Sequence, residues 1–527
     1  MTAPEAAERD ARRPWLALCL ILVLAALVRV LSFRGYTTYD AAEYTRLAQM
    51  MIGGEYKAGM FWFFRVFPVR VGIIAPVALL FKTIGISEVT LTLYPFLLSL
   101  VGVALAFFAA RTMFGARAGL IAALLMALLP IDARHASQLL PDLPASVWMN
   151  AGVLLVYIGA RRRASFHKAV LGALAGFVLF LSWLCKESVL FVLPFVGAYL
   201  VWLVFRDRRN VPLMVAALGV AGLAVGIEGW LYQQYTGDFL YRFHTLADNS
   251  GAGADRMTPV LTLANIGPCF VHRARQLLRE VLFSPFFALT PAVALGTCVY
   301  AASRKLRAFL FPGLWFGWLL LLFGFASASI RGYFPLNLVA TRYQYPVLFP
   351  GVLLCAGLLG SLLGPRGPDE PPTQQRRRLL WGVIISLCLA GMSLAMVAWG
   401  VETGLGRRSQ ASRNISRILK PTDRLYTDPH TAIALDFFWE FPEAESTHSF
   451  EAMKLSELPS GVYVFVNRNE VDRISGNTSF VPPEFLDSVP ATWQKLRERD
   501  NATLYWVPPL RLEHRDAVIT PVPRHVE

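Results

Sequence analysis

The chain has 527 residues, 55% of them hydrophobic and only 16% charged, with a mean hydropathy of +0.47. A soluble globular chain carries about 25% charged residues, and here the apolar residues come in long blocks rather than on alternating faces, so an ordinary soluble fold is excluded in favour of a polytopic membrane protein. The formal charge of +14 would suggest nucleic acid in a soluble chain. Because Arg and Lys cluster between the apolar blocks, membrane orientation and anionic lipid explain them instead, and no nucleic-acid partner is expected.

Taken in chain order, the N-terminal segment has a basic start followed by an apolar core over 15–33. No small-residue cleavage site follows it, so it reads as a retained first span. Ten further spans are expected near 89–110, 118–131, 143–160, 169–184, 187–205, 212–232, 281–301, 307–328, 344–364 and 379–400. Crossing the hydrocarbon takes about 20 helical residues, which makes the third and fifth spans short. With the N-terminus cytoplasmic, Lys and Arg are about threefold denser in the inside segments than in the outside loops, as the positive-inside rule requires. The runs 161-RRRASFHK, 206-RDRRN and 376-RRR carry much of that excess.

The first outer loop covers 34–88. Within it, 68-PVRVGIIAPVALLFKTIG contains Arg70, Pro76 and Lys82, and counting it as a span would invert the charge pattern. It is therefore expected to be a helix lying on the outer surface. A second long outer loop covers 233–280. After residue 401 the composition turns polar, with strand-like 424-RLYTD, 462-VYVFVN and 503-TLYWV. Helix-like 431-TAIALDFFWEF and 491-ATWQKLRER separate them, which predicts a small extracytoplasmic α/β domain over 402–527 beside a membrane domain over 1–401. The cysteines show no CxxC or Cys/His ligand spacing, so neither a disulfide framework nor a zinc site is supported.

Polar residues at membrane depth or at span mouths are costly and are functional candidates. On this topology they gather at the outer mouths: Asp40 and Glu43, Asp132, Arg134 and His135, Asp142, Lys186 and Glu187, Glu228, Arg331 and Arg342. His272, Arg273 and Arg275 lie in the second long loop, which could close over a substrate. Each has a plain structural reading too. Asp40 suits a helix cap, Glu43 an ion pair within its helix, Asp142 a turn in 140-LPDLP, Lys186 a pairing with Glu187, and Arg342 an anchor beside Tyr343 and Tyr345. Glu228 and His135 would line a cavity or be buried, hydrogen-bonded groups. Three acids, Asp40, Glu43 and Asp142, could supply oxygens to a divalent metal, although spacing alone does not bring them together.

The order 39-YDAAEY, 70-RVGIIAP, 114-FGARAGLIAALLMALLP, 135-HASQLLPDLPA, 181-LSWLCKES and 341-TRYQYPVLFPG resembles the GT-C superfamily of integral-membrane glycosyltransferases. That superfamily includes protein O-mannosyltransferases and the aminoarabinose transferases of lipid A. The match extends over roughly residues 15–364; order, spacing and topology carry it rather than any single motif. Many relatives place two acids side by side in the first loop, whereas here Ala41 follows Asp40 and the second acid is Glu43.

The resemblance implies a helical GT-C bundle in a cell (inner) membrane, transferring a sugar from a polyprenyl-phosphate donor to a lipid, protein or polysaccharide acceptor on the outer face. It further implies inversion, with Asp40 as base, Glu43 and Asp142 as further site carboxylates, and Lys186 and Arg342 on the donor phosphate. The chemistry agrees: the acceptor hydroxyl needs a base, while a phosphate leaving group needs cations rather than a proton-donating acid. Two other classes fit the same composition. A secondary transporter would show paired interrupted helices and acids at the midplane. A non-catalytic scaffold would tolerate loss of Asp40.

Overall fold

The computed structural model describes residues 3–37, 40–57, 66–248, 266–325, 341–364, 371–402, 406–441, 447–449, 458–468, 489–499 and 502–508. Ten helices lead the chain: α1 (Ala3–Leu31), α2 (Asp40–Gly53), α3 (Val71–Ile84), α4 (Glu88–Phe114), α5 (Ala116–Ala127), α6 (Pro130–His135), α7 (Asp142–Ala160), α8 (Ser165–Cys185), α9 (Leu193–Arg206) and α10 (Val211–Thr236). Helices Ile266–Gln276, Thr290–Ser303, Leu310–Phe325, Tyr345–Leu362, Pro372–Glu402, Gly406–Ser416 and Pro429–Phe438 follow.

Eight helices among the described residues are long and apolar enough to cross a membrane. They coincide with eight of the eleven expected spans. The remaining three are helical but short: α5 has 12 residues, and α9 and Thr290–Ser303 have 14 each. At 1.5 Å per residue these cover only about 18–21 Å. The segment ahead of α9 is a 3-10 turn, Glu187–Phe191, and the segment ahead of Thr290 runs through a π-helical stretch and a second 3-10 turn. Hydropathy reports apolar length, not the helix type that sets rise.

Local chemistry marks the boundaries. Proline stands in the first turn of α6, α9, α10 and Tyr345–Leu362, where its missing N–H costs nothing. Helix α8 packs closely on both α7 and α10. Gly172 and Gly176 face α10 so tightly that a Cβ on either would lie 2.3 Å from the carbonyl oxygens of Leu213 and Ala217, the small-xxx-small approach used in membranes. Burial sorts the rest. Tyr345–Leu362 runs through the core, whereas α10 and Pro372–Glu402 keep apolar faces such as Leu218, Leu223, Trp230, Trp381 and Leu387 exposed, as lipid-facing helices do.

The C-terminal residues form a five-stranded sheet in the order β2-β1-β3-β5-β4, with β1 (Leu425–Thr427), β2 (Thr447–Ser449), β3 (Val462–Asn467), β4 (Gln494–Arg499) and β5 (Ala502–Val507). Strand β1 pairs in parallel with β2 and β3, while β5 is antiparallel to β3 and β4. The three expected strands and the helix Pro429–Phe438 are present. The expected helix 491-ATWQKLRER is instead strand β4. Its Gln, Lys, Leu, Arg and Glu favour a helix locally, but pairing Arg499 with Ala502 turns the chain back along β5, whose ladder outweighs that preference.

Contacts divide the chain into two compact units. One comprises 1–33, 56–76 and 92–403; the other comprises 34–55, 77–91 and 404–527. Segments 34–55 and 77–91, including α2, thus group with the sheet domain.

Candidate functional site

Within the first unit, Asp142 opens α7, where a carboxylate meets the positive end of the helix dipole. Lys186 ends α8: its backbone turns extended, at φ −162° and ψ 144°, and its N–H still bonds Ser182 O at 2.9 Å. That turn delivers Lys186 Nζ to 2.5 Å from Asp142 Oδ1, with both side chains buried. The other carboxylate oxygen, Asp142 Oδ2, is buried with no hydrogen-bond partner among the described residues.

The extended backbone sends the next residue elsewhere. Glu187, in the 3-10 turn ahead of α9, accepts from Arg70 Nη2 at 2.5 Å and Arg70 Nε at 3.2 Å, so its ion-pair partner is Arg70 rather than Lys186. Burial acts to raise the Glu187 pKa, but Arg70 and then Lys186 outweigh it and bring the carboxyl down to about 2. Arg70 lies just before Gly72, where a Cβ would fall 2.8–2.9 Å from the backbone of Leu184 and Cys185. Absence of a side chain there lets the start of α3 sit against the end of α8.

A second cation joins from the 3-10 turn Thr341–Gln344. Arg342 lies 5.3 Å and Lys186 Nζ 4.5 Å from the centre of the Tyr343 ring, two cations on one aromatic. Arg342 and His135 also act on Asp142 electrostatically, after Lys186. The His135 ring stacks on Tyr345 with centroids 5.9 Å apart and planes 9° apart. Burial lowers the His135 pKa to about 3 against the pull of Asp142, with Arg134, Arg342 and Lys186 adding to the depression, so the imidazole is neutral near pH 7. Asp142, Lys186, Arg342 and His135 therefore converge, and the surroundings are net cationic.

Other expected residues serve different ends. Asp132 is wholly buried with Arg29 of α1, in an ion pair reinforced by Ser99 and by the Tyr345 hydroxyl. Arg29 also donates to the carbonyls of Ala25 at 3.0 Å and Ala127 at 2.9 Å. Glu228 has both oxygens engaged, by Trp183 Nε1 at 2.6 Å and Arg242 Nη1 at 2.8 Å, and Arg242 stacks 4.1 Å from the Trp183 ring. Its geometry is that of a buried latch between α8, α10 and the helical stretch 241–248. Arg273 is buried and donates to Gly324 O and to Gln276, whereas His272 is exposed. Arg331 lies outside the described residues.

Asp40 and Glu43 belong to the second unit and occupy the first turn of α2. Glu43 is 8% exposed, and burial pushes its carboxyl up to about 7, opposed by Arg46 and assisted by the charge of Asp40. Asp40 is half-buried. Among the described residues no group of three or more His, Cys, Asp or Glu side chains gathers as metal ligands would.

Sequence reasoning places Tyr343 beside Arg342 but does not single out Arg29, Arg70 or Arg242 as partners of these groups. Arg29 carries a signal, being an ionisable residue inside an apolar span. Arg70 and Arg242 find their acids only through the fold.

Residues 72–231 match the family model described as dolichyl-phosphate-mannose-protein mannosyltransferase. No curated protein matches the chain. Among solved structures, ArnT from Cupriavidus metallidurans bound to undecaprenyl phosphate superposes with a TM-score of 0.56 at 14% identity, covering 93% of this chain and 97% of that one. The same protein in the apo state gives 0.54 at 15% identity, covering 94% and 98%. The Archaeoglobus fulgidus oligosaccharyltransferase in the apo form gives 0.54 at 12% identity, covering 81% of this chain and 64% of its own. By fold, this chain is a multi-pass membrane protein of the GT-C type.

Proposed function

We propose that the protein is an inverting glycosyltransferase that moves a sugar from a polyprenyl-phosphate donor to an acceptor on the extracytoplasmic face of a cell membrane. The N-terminus is cytoplasmic and the sheet domain extracytoplasmic. Lys186 and Arg342 bind the donor phosphate and stabilise the charge that develops on it as the glycosidic C–O bond breaks. Asp40 removes the acceptor hydroxyl proton as that oxygen attacks the anomeric carbon. Neutral His135 adds no positive charge of its own and can hydrogen-bond through Nδ1.

The observation that carries this reading is the gathering of two cations, Lys186 and Arg342, on Tyr343 beside the carboxylate of Asp142 in a GT-C fold. Asp142 fixes Lys186 in place, and a phosphate can compete for both cations. What the structural relatives bind also supports a lipid-phosphate donor, since one of them is held with undecaprenyl phosphate. The test incubates purified protein with a panel of polyprenyl-phosphate sugars and candidate lipid, peptide and polysaccharide acceptors, with and without divalent metal. Release of free polyprenyl phosphate with transfer of sugar is expected for at least one donor. Intact donor throughout, with labelled solute transported by the same preparation, would replace the enzyme with a transporter.

A further inference from the structure

The helix that carries Asp40 and Glu43 is held by residues far along the chain. Tyr36, four positions before Asp40, is buried, and its ring stacks on Phe437 with centroids 4.6 Å apart and planes 14° apart. Phe438 closes on the same ring at 5.6 Å. The Tyr36 backbone N–H donates to Glu88 Oε1 at 2.8 Å. The same oxygen accepts from Arg413 Nη2 at 2.5 Å, and the Arg413 guanidinium lies 5.5 Å from the Phe438 ring. Arg413 is itself braced by Gln410 Oε1 at 2.8 Å. Helix Pro429–Phe438 packs against α2 directly.

We infer that the sheet domain is a positioning element for the acid-bearing helix, in which Arg413, Glu88, Phe437 and Tyr36 fix the stem from which Asp40 and Glu43 project. None of the four touches a reacting atom in this assignment. Glu88 is the hinge of the arrangement, because one carboxylate oxygen receives both the stem's N–H and the domain's guanidinium. Loss of Arg413 removes the cation from the carboxylate oxygen that the Tyr36 N–H also uses, and weakening the acceptor of a buried donor is costly enough to favour rearrangement. Displacement of a catalytic base by an ångström is sufficient to slow a reaction by a factor on the order of a hundred. The domain therefore contributes to turnover without contributing a catalytic group. This rests on the proposed function for its kinetic consequence, though not for its structural one.

The test compares Arg413→Leu, Arg413→Lys and wild type as full-length protein in detergent, by hydrogen–deuterium exchange and by turnover. In Arg413→Leu, amide exchange in 40–53 is expected to rise by roughly tenfold while exchange in 425–438 and 462–467 stays at the wild-type level. Turnover number should fall by a comparable factor with the donor KM within about twofold, the signature of a misplaced base rather than lost binding. Arg413→Lys keeps the charge opposite Glu88 and should restore both readouts. If exchange rises throughout the sheet domain, or does not rise in 40–53 at all, the residues are ordinary domain stabilisers and the inference is overturned. If wild type turns over no donor at all yet the selective exchange is observed, the positioning stands and the proposed reaction fails.

Discussion

Lys186 Nζ sits 2.5 Å from Asp142 Oδ1, and the remaining oxygen of that carboxylate has no hydrogen-bond partner among the described residues. A buried pair of this kind is weak evidence for stability but strong evidence of consequence when half is removed, because the survivor is a buried charge. Lys186→Met should cost about 3–5 kcal/mol on that ground. Adding Asp142→Leu should recover most of the loss, while turnover stays absent because the phosphate cation is gone. Thermal unfolding in detergent and donor consumption check the two halves; near-normal turnover by the double variant would remove Lys186 from the reaction.

The Arg70–Glu187 pair predicts an acid-sensitive contribution. Glu187 is held down to about 2 when folded, below its ordinary value of 4.5. Its stabilisation is therefore complete above about pH 4.5 and lost as the pH falls towards about 2. Arg70→Met should unfold at lower temperature than wild type near neutrality, and the gap should narrow steadily on acidification below about pH 4.5. A gap that is constant with pH would mean that Arg70 stabilises by packing, not by charge.

Glu43 predicts the opposite sign. Its carboxyl is pushed up to about 7, so the folded state holds the proton more tightly than the unfolded chain does. Its contribution to stability should be greatest below about pH 4.5 and decline as pH rises through about 7, as the buried group ionises. In Glu43→Gln that decline should be absent, leaving a flatter melting-temperature profile over the same range. Parallel profiles for the two proteins would place the titration elsewhere.

The helical bundle is legible in the sequence because hydrophobic thickness imposes itself on apolar length. The length of α5 is short in the sequence as well, but hydropathy does not distinguish α9 and Thr290–Ser303 from full-length spans, since each apolar run continues across the 3-10 turn ahead of the helix. Strand β4 is unreadable for a related reason: its helix-favouring residues are overruled by a partner strand. Among the site residues, the sequence anticipates the convergence of Asp142, Lys186, Arg342 and His135 only as a common side of the membrane. Which cation meets which acid depends on the extended backbone at Lys186, and that is why Glu187 pairs with Arg70 rather than with its neighbour. Asp132 and Glu228 stand out as costly acids, yet the buried guanidiniums of Arg29 and Arg242 account for them.

The most direct measurement of the central claim is sugar transfer by Asp40→Asn beside wild type, in proteoliposomes with the donor and acceptor that wild type uses. Asn preserves size and polarity but cannot accept a proton at its amide as a carboxylate does. Transfer should fall by at least about a hundredfold while the melting temperature and donor KM stay near wild type, since general-base catalysis contributes factors of that order. Transfer by Asp40→Asn at the wild-type rate would contradict the account.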